Sequence, residues 1–381
     1  MSKATSTLST VYRHSSNPTP YNVPKWARSL QRIPKNFVEL AKHDSPIHEW
    51  RPPGVPDDVQ LYIKRDDMTG STLSGNKVRK LEFLLADALH KGCKHIITCG
   101  GLQSNFCRAT AVAAAQLGCQ THLVLRTDIE KPEEVECNGN IFLNRLCGAE
   151  MYLVPKQSPY LTTLKPMMER IAQKLKAETG EASYIMTVGG STSVGLFGYI
   201  TAFQELISQG VQEYFDDIVV TVGSGGTSAG LAIANYLTGG KLKIHAVAIC
   251  DSAAYFHNHV NETLQEVGLN DIRSEDILDI IEGYKGLGYG ISTPEELDFI
   301  TQVSQSTGIM LDPVYTGKGA RGMLTELGRD QERFQGKRVL FIHTGGVFGL
   351  YDGAINSMLK TGNAATNRVH MYKDIFREEN M

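Results

Sequence analysis

Residues 218–234 read IVVTVGSGGTSAGLAIA: five β-branched residues in a row, then glycines, then small and apolar residues at helical spacing. A strand apolar at nearly every position must be covered on both faces, which is the habit of parallel sheets flanked by helices. Gly223, Ser224, Gly225, Gly226 and Thr227 lead straight from that strand into the helix. Glycines let backbone N–H groups converge, the helix N-terminus adds positive charge, and two hydroxyls can donate, so the junction reads as a phosphate cup. A tight βα turn would use the same glycines. No Lys follows them as in a Walker loop, and GSGGTSAG does not keep the GxGxxG spacing, so a single small phosphate is the better ligand.

The same rhythm runs outward from this stretch. LYIK (61–64), HIIT (95–98), THLVL (121–125), YLV (152–154), YIMTV (184–188), IHAVAI (244–249) and VLFIH (339–343) alternate with helical patterns at 76–91, 105–117 and 227–237. Repeated strand and helix units of this kind predict a doubly wound α/β fold. A chain of 381 residues exceeds the roughly 250–300 at which one core stops growing, so two domains around a cleft are expected.

Bulk composition narrows the function class. Hydrophobic residues make up 41% and charged residues 21%, and a net charge of -3 gathers neither nucleic acid nor anionic lipid. Seven scattered cysteines without a CxxC pair indicate no disulfide framework and no metal site, and they suit a reducing compartment. No apolar run approaches the ~20 residues of a membrane span. Cytoplasmic residence is expected. Residues 1–38 lack Asp and Glu and carry six Lys or Arg, so a mitochondrial presequence is the alternative, opposed by Pro18, Pro20, Pro24 and Pro34. Residues 1–20 otherwise read as a flexible arm.

In open α/β sheets, ligands sit beyond the carboxyl ends of strands. At one such junction, TLSGNKVRKLEFL, Lys77 starts an amphipathic helix among Lys64, Arg65, Arg79 and Lys80, surroundings that favour the neutral amine of a Schiff-base lysine. Lys80 competes for that role. At another, HIITCGGLQSNFC, Ser104 and Asn105 stand at a helix N-terminus suited to a carboxylate, although simple N-capping explains them too. Tyr289 in GLGYGIST and Tyr315 in DPVYTGKGARG lie in glycine-rich turns, where a phenol projects into a cleft as donor or acid/base. Thr344 closes VLFIHTGG.

With SGNKVRKLEFL, GGLQSN, VGSGGTSAG, PVYTGK and HTGG in order, the chain resembles the D-cysteine desulfhydrase and 1-aminocyclopropane-1-carboxylate (ACC) deaminase family of fold type II pyridoxal-phosphate enzymes. PYNVPKWARSL at 20–30 looks like the start of the plant-type desulfhydrases. The resemblance implies pyridoxal 5'-phosphate as cofactor, two open, twisted, mostly parallel sheets with the site between them, and a homodimer. It implies a small domain at about residues 80–190 inserted in a large one built from 1–79 and 191–381. It also implies that Lys77 binds the cofactor covalently, Asn105 contacts the pyridoxal 3'-oxygen, Gly223 to Thr227 hold the phosphate, Ser104 takes the substrate carboxylate, and Tyr289 and Tyr315 face the substrate.

ACC deaminases resemble this chain less at two positions: they have Glu after the PVY tyrosine and Leu in HxGG, where this chain has Thr316 and Thr344, as in the desulfhydrases. A hydroxyl in place of a carboxylate at the pyridine nitrogen leaves a weaker electron sink, sufficient for elimination of a thiolate. The implied reaction is a lyase reaction on D-cysteine: the freed Lys77 amine takes the Cα proton, hydrosulfide leaves, and pyruvate and ammonia follow. ACC deamination to 2-oxobutanoate is the alternative, and a non-catalytic cofactor-binding protein is the reading from another class. Phe106 stands where relatives carry Gln or His after QSN, which bears on substrate preference.

Overall fold

The continuous apolar runs become strands because only a two-sided cover buries them. Residues 17–361 are described by a computed structural model. In chain order the strands are β1 (Thr19–Pro20), β2 (Asn36–Phe37), β3 (Ile47–Glu49), β4 (Gln60–Lys64), β5 (His95–Gly101), β6 (Gln120–Thr127), β7 (Glu150–Pro155), β8 (Ser183–Ile185), β9 (Asp217–Val222), β10 (Lys243–Ala248), β11 (Asp279–Ile281) and β12 (Arg338–Ile342). One sheet runs β11-β10-β9-β12-β4-β3, parallel except for β3 against β4. A second sheet, β7-β6-β5-β8, is parallel throughout. The short pair β1-β2 is antiparallel.

Strand alternation divides the larger core cleanly. Ile218, Val220, Leu340 and Ile342 face one cluster with helices Ser193–Ser208 and Gly226–Leu237, while Val219, Val339 and Phe341 face another with helices Pro294–Thr307 and Thr316–Arg329. Each such side chain contributes about 1.5–3 kcal/mol on full burial, which makes the two-layer cover the dominant local choice.

Helix α1 (Lys77–His90) is the hinge of the architecture, since its buried residues pack on helix Ser193–Ser208 and on α2 (Asn105–Gln116). Gly198 permits the first contact: a Cβ there would overlap the carbonyl of Arg79. The domain boundary expected at residue 79 therefore falls inside one continuous helix. The four-stranded sheet lies wholly within residues 95–185, and the six-stranded sheet takes strands from both sides of it.

Of the expected N-terminal arm, residues 1–16 lie outside the described residues. From Thr19 the chain is pinned: Tyr21 Oη shares a hydrogen bond with Thr201 (3.0 Å), and Trp26 Nε1 donates to Gln204 (2.7 Å). Among the described residues no helix is long and apolar enough to cross a membrane.

Candidate active site

The carboxyl ends of β4, β5, β9 and β12 converge on one cavity, lined among others by Asn76, Lys77, Asn105, Ser224, Tyr315 and Thr344. Lys77 heads α1 because the loop before it is clamped. Asn76 donates its backbone N–H to Thr344 O (3.1 Å) and its side-chain amide to Thr227 Oγ1 (3.0 Å). Gly75, at φ +106°, lies so close to the 344–346 turn that a Cβ would stand 2.8 Å from Thr344 O. From α2, buried Arg108 donates to the carbonyls of Thr72 (2.6 Å) and Ser74 (3.0 Å). Thus three separate elements fix the position of Lys77.

The Lys77 amine is held at about 8 by burial, with Asp312 opposing and Arg108 reinforcing that shift. Its Nζ lies 5.8 Å from the centre of the Tyr315 ring. Tyr315 packs on Gly223, where a Cβ would stand 2.7 Å from Cε1, and its hydroxyl shares a 2.5 Å hydrogen bond with Tyr289. Burial raises both phenols, Tyr289 to about 12, although Tyr289 as a whole stays 40% exposed. Tyr289 also lies over Gly101 at the end of β5. The two tyrosines thereby bridge the ends of both sheets.

Beyond Gly223, the loop 223–227 turns through Gly225 at φ +88° into helix Gly226–Leu237. Ser191 Oγ accepts the Gly226 N–H (3.1 Å) and bonds Ser224 Oγ (2.8 Å). Lys80, 1% exposed, has its Nζ 3.0 Å from where a Cβ on Gly226 would stand, and it donates to Gly189 O (3.3 Å). Burial and the neighbouring Lys77 hold its amine well below the ordinary lysine value. A buried lysine with no carboxylate beside a glycine loop is a place for an anion.

At the N-terminus of α2, Ser104 Oγ accepts the Cys107 N–H (3.2 Å) as N-cap and keeps its own proton to donate. Asn140 Nδ2 donates to Asn105 Oδ1 (3.1 Å), which leaves the Asn105 amide group as a donor toward the cavity.

The structure separates residues that the sequence groups. Thr344 lines the cavity, whereas Thr316 is fully buried behind it, its hydroxyl donating to Asp312 Oδ1 (2.7 Å) and accepting the Asp312 N–H (2.8 Å). Phe106 is turned away as well, 2% exposed in the core beneath Leu84 and against Gly190. It follows that Phe106 does not replace a polar side chain at the cavity. Sequence reasoning missed Arg108, Asn140, Ser191 and Asp312. A lone Arg in the alanine-rich run CRATAVAAA was the available signal for the first. Asp312 holds the turn before helix Thr316–Arg329 by accepting the N–H groups of Val314 (3.0 Å), Tyr315 (2.9 Å) and Thr316 (2.8 Å).

An amine depressed to about 8, a glycine cup backed by a buried lysine, and an amide donor between them fit an aldehyde that carries a phosphate. This set, at the carboxyl ends of two open α/β sheets, defines a pyridoxal-phosphate enzyme of the two-sheet type. The chain belongs to that family: the model described as "Pyridoxal-phosphate dependent enzyme" matches residues 38–345. Among curated relatives, it is 44% identical over 341 residues to a bifunctional D-cysteine desulfhydrase/1-aminocyclopropane-1-carboxylate deaminase, mitochondrial, of Arabidopsis thaliana, covering 87% of this chain and 84% of the relative. It is 34% identical to a D-cysteine desulfhydrase of Klebsiella pneumoniae, covering 85% of this chain and 97% of the relative. Among solved structures, an ACC deaminase homologue aligns with TM-score 0.75 at 33% identity, covering 88% of this chain and 99% of the other.

Proposed function

We propose that this protein degrades D-cysteine to pyruvate, hydrogen sulfide and ammonia by α,β-elimination. The observation that carries this is the cavity wall: none of its lining residues is acidic, and Thr344 is among the hydroxyl-bearing residues on it while Thr316 is not. Both Asp312 oxygens are already engaged by the turn and by Thr316. A hydroxyl opposite the ring nitrogen suits departure of a thiolate better than opening of an unactivated cyclopropane.

Lys77 is proposed as the covalent attachment point. Asn105 would hold the ring oxygen, residues 223–227 with Lys80 and Ser191 the phosphate, and Thr344 the ring nitrogen. When bound, pyridoxal phosphate supplies an electron sink for the charge that develops at the substrate Cα. Ser104 and the N–H groups at the start of α2 orient the substrate carboxylate. The Lys77 amine, once free, removes the Cα proton, for which a value near 8 is well matched. The Tyr289–Tyr315 pair delivers a proton to the departing sulfur and shields the site from water. The enamine released takes up water and loses ammonia.

The Arabidopsis relative, which carries both activity names, supports ACC deamination as the second reading. Purified holoenzyme should release sulfide and pyruvate in equal amounts from D-cysteine, with little from L-cysteine or ACC. Release of 2-oxobutanoate from ACC without sulfide from D-cysteine would reverse the assignment.

Three coarser features complete the proposal. The sheet within residues 95–185 supports a small unit at about 80–190. Family resemblance supports a homodimer, which light scattering would test. The cytoplasm is the proposed compartment, with the acid-free residues 1–38 and the mitochondrial relative supporting import as the alternative.

A further inference from the structure

His259 sits on helix Ala253–Glu266, outside every motif that points to the site. Its ring packs edge-on against Gly225, where a Cβ would overlap Cδ2 and stand 3.2 Å from Nε2. That nitrogen is sealed from solvent and has no hydrogen-bond partner among the described residues. Buried ring nitrogens are ordinarily satisfied, so one left open beside a ligand loop marks a missing partner.

The charges around the ring come from two elements. Lys80 approaches from α1, while Glu262 and Glu266 belong to the same helix, and Glu266 is paired with Arg32 at 3.3 Å. Burial, reinforced by Lys80, holds the imidazole below its ordinary value. Gly225 and Gly226 thus have His259 and Lys80 respectively packed where a side chain would stand. Two buried bases behind a loop of converging N–H groups suit a doubly charged anion.

On the reading of residues 223–227 as the phosphate cup, we propose that His259 is a further phosphate-binding residue, acting with Lys80 to hold a phosphate monoester as its dianion. The substitution His259→Phe preserves the ring packed on Gly225 but removes Nε2, while His259→Gln returns an N–H donor; His259→Leu serves if the phenylalanine variant does not fold. Apoprotein would be titrated with pyridoxal phosphate and with pyridoxal, which lacks the phosphate, and the 31P resonance of the bound cofactor recorded.

Loss of one charge-assisted contact raises Kd for pyridoxal phosphate about tenfold or more. The expected pattern is that loss, an altered 31P shift, unchanged capture of pyridoxal, and recovery of most of the affinity in His259→Gln. If His259→Phe binds pyridoxal phosphate as tightly as wild type while Thr227→Val weakens it, the role of His259 is overturned and the cup stands. If neither substitution weakens binding, the cup itself is overturned, and the inference with it.

Discussion

Two faces of one helix treat buried charge in opposite ways. On one face of α1, Arg79 pairs with Asp66 (2.8 Å) and Glu205 (2.9 Å), and Glu205 also takes Lys64. Tyr199 donates to Asp66 (2.7 Å), and Glu82 accepts from Leu40 N, Ala41 N and His43. Burial pushes Glu205 up, yet Arg79 and Lys64 hold it at about 2. On the other face, among the described residues, neither Lys77 nor Lys80 forms an ion pair, and Asp312 acts on Lys77 only through its field. Charge that is closed on itself anchors the helix, and charge left open one turn away waits for a ligand.

The comparison can be broken in order of effect. Lys77→Ala should remove turnover by a factor of at least about 1,000, because in the proposed mechanism attachment and proton transfer both depend on that amine. Residual turnover near wild type would end the assignment. Arg79→Met strands the buried Asp66 carboxylate and takes one of two cations from Glu205, and it should cost about 3–5 kcal/mol in urea unfolding of the apoprotein. Lys80→Met, three residues away, should leave apoprotein stability unchanged or improved while cofactor affinity falls about tenfold. Equal stability losses in both variants would erase the distinction between the faces.

Smaller effects sharpen it. Thr344→Val should slow D-cysteine turnover about tenfold, as expected for loss of one hydrogen bond at the reacting system, whereas Thr316→Val should act on stability through Asp312. The reverse pattern would place the wrong threonine at the cofactor. With Lys77 as the proposed attachment point, covalent capture of pyridoxal phosphate needs its neutral amine. Its rate in stopped-flow absorbance should therefore climb as pH rises through about 8 and level off above it. Asp312 favours the charged amine, so Asp312→Asn should move that midpoint to lower pH.

The junctions were legible from sequence because each combines a local run with a local break: IVVTV before GSGG, HIIT before GGLQS, VLFIH before TGG. The lysine at a helix start and the tyrosines in glycine turns belong to the same short-range grammar. What stayed hidden depends on distant partners. Arg79 reads as one more basic residue near Lys77 until Glu205, on another helix, closes its charge. Thr316 and Thr344 look equivalent in sequence, but the Asp312 turn aims one inward and leaves the other on the wall. Phe106 looks like a lost polar contact because its neighbour Asn105 faces the cavity; the next residue along a helix points about 100° away, here into the core.

Lys77 and Lys80 lie on the same turn of α1, and only one of them can be the attachment point. Holoenzyme reduced with borohydride, digested and mapped by mass spectrometry would decide between them. The phosphopyridoxyl group is expected on Lys77, with Lys80 unmodified; the group on Lys80 would contradict attachment through Lys77.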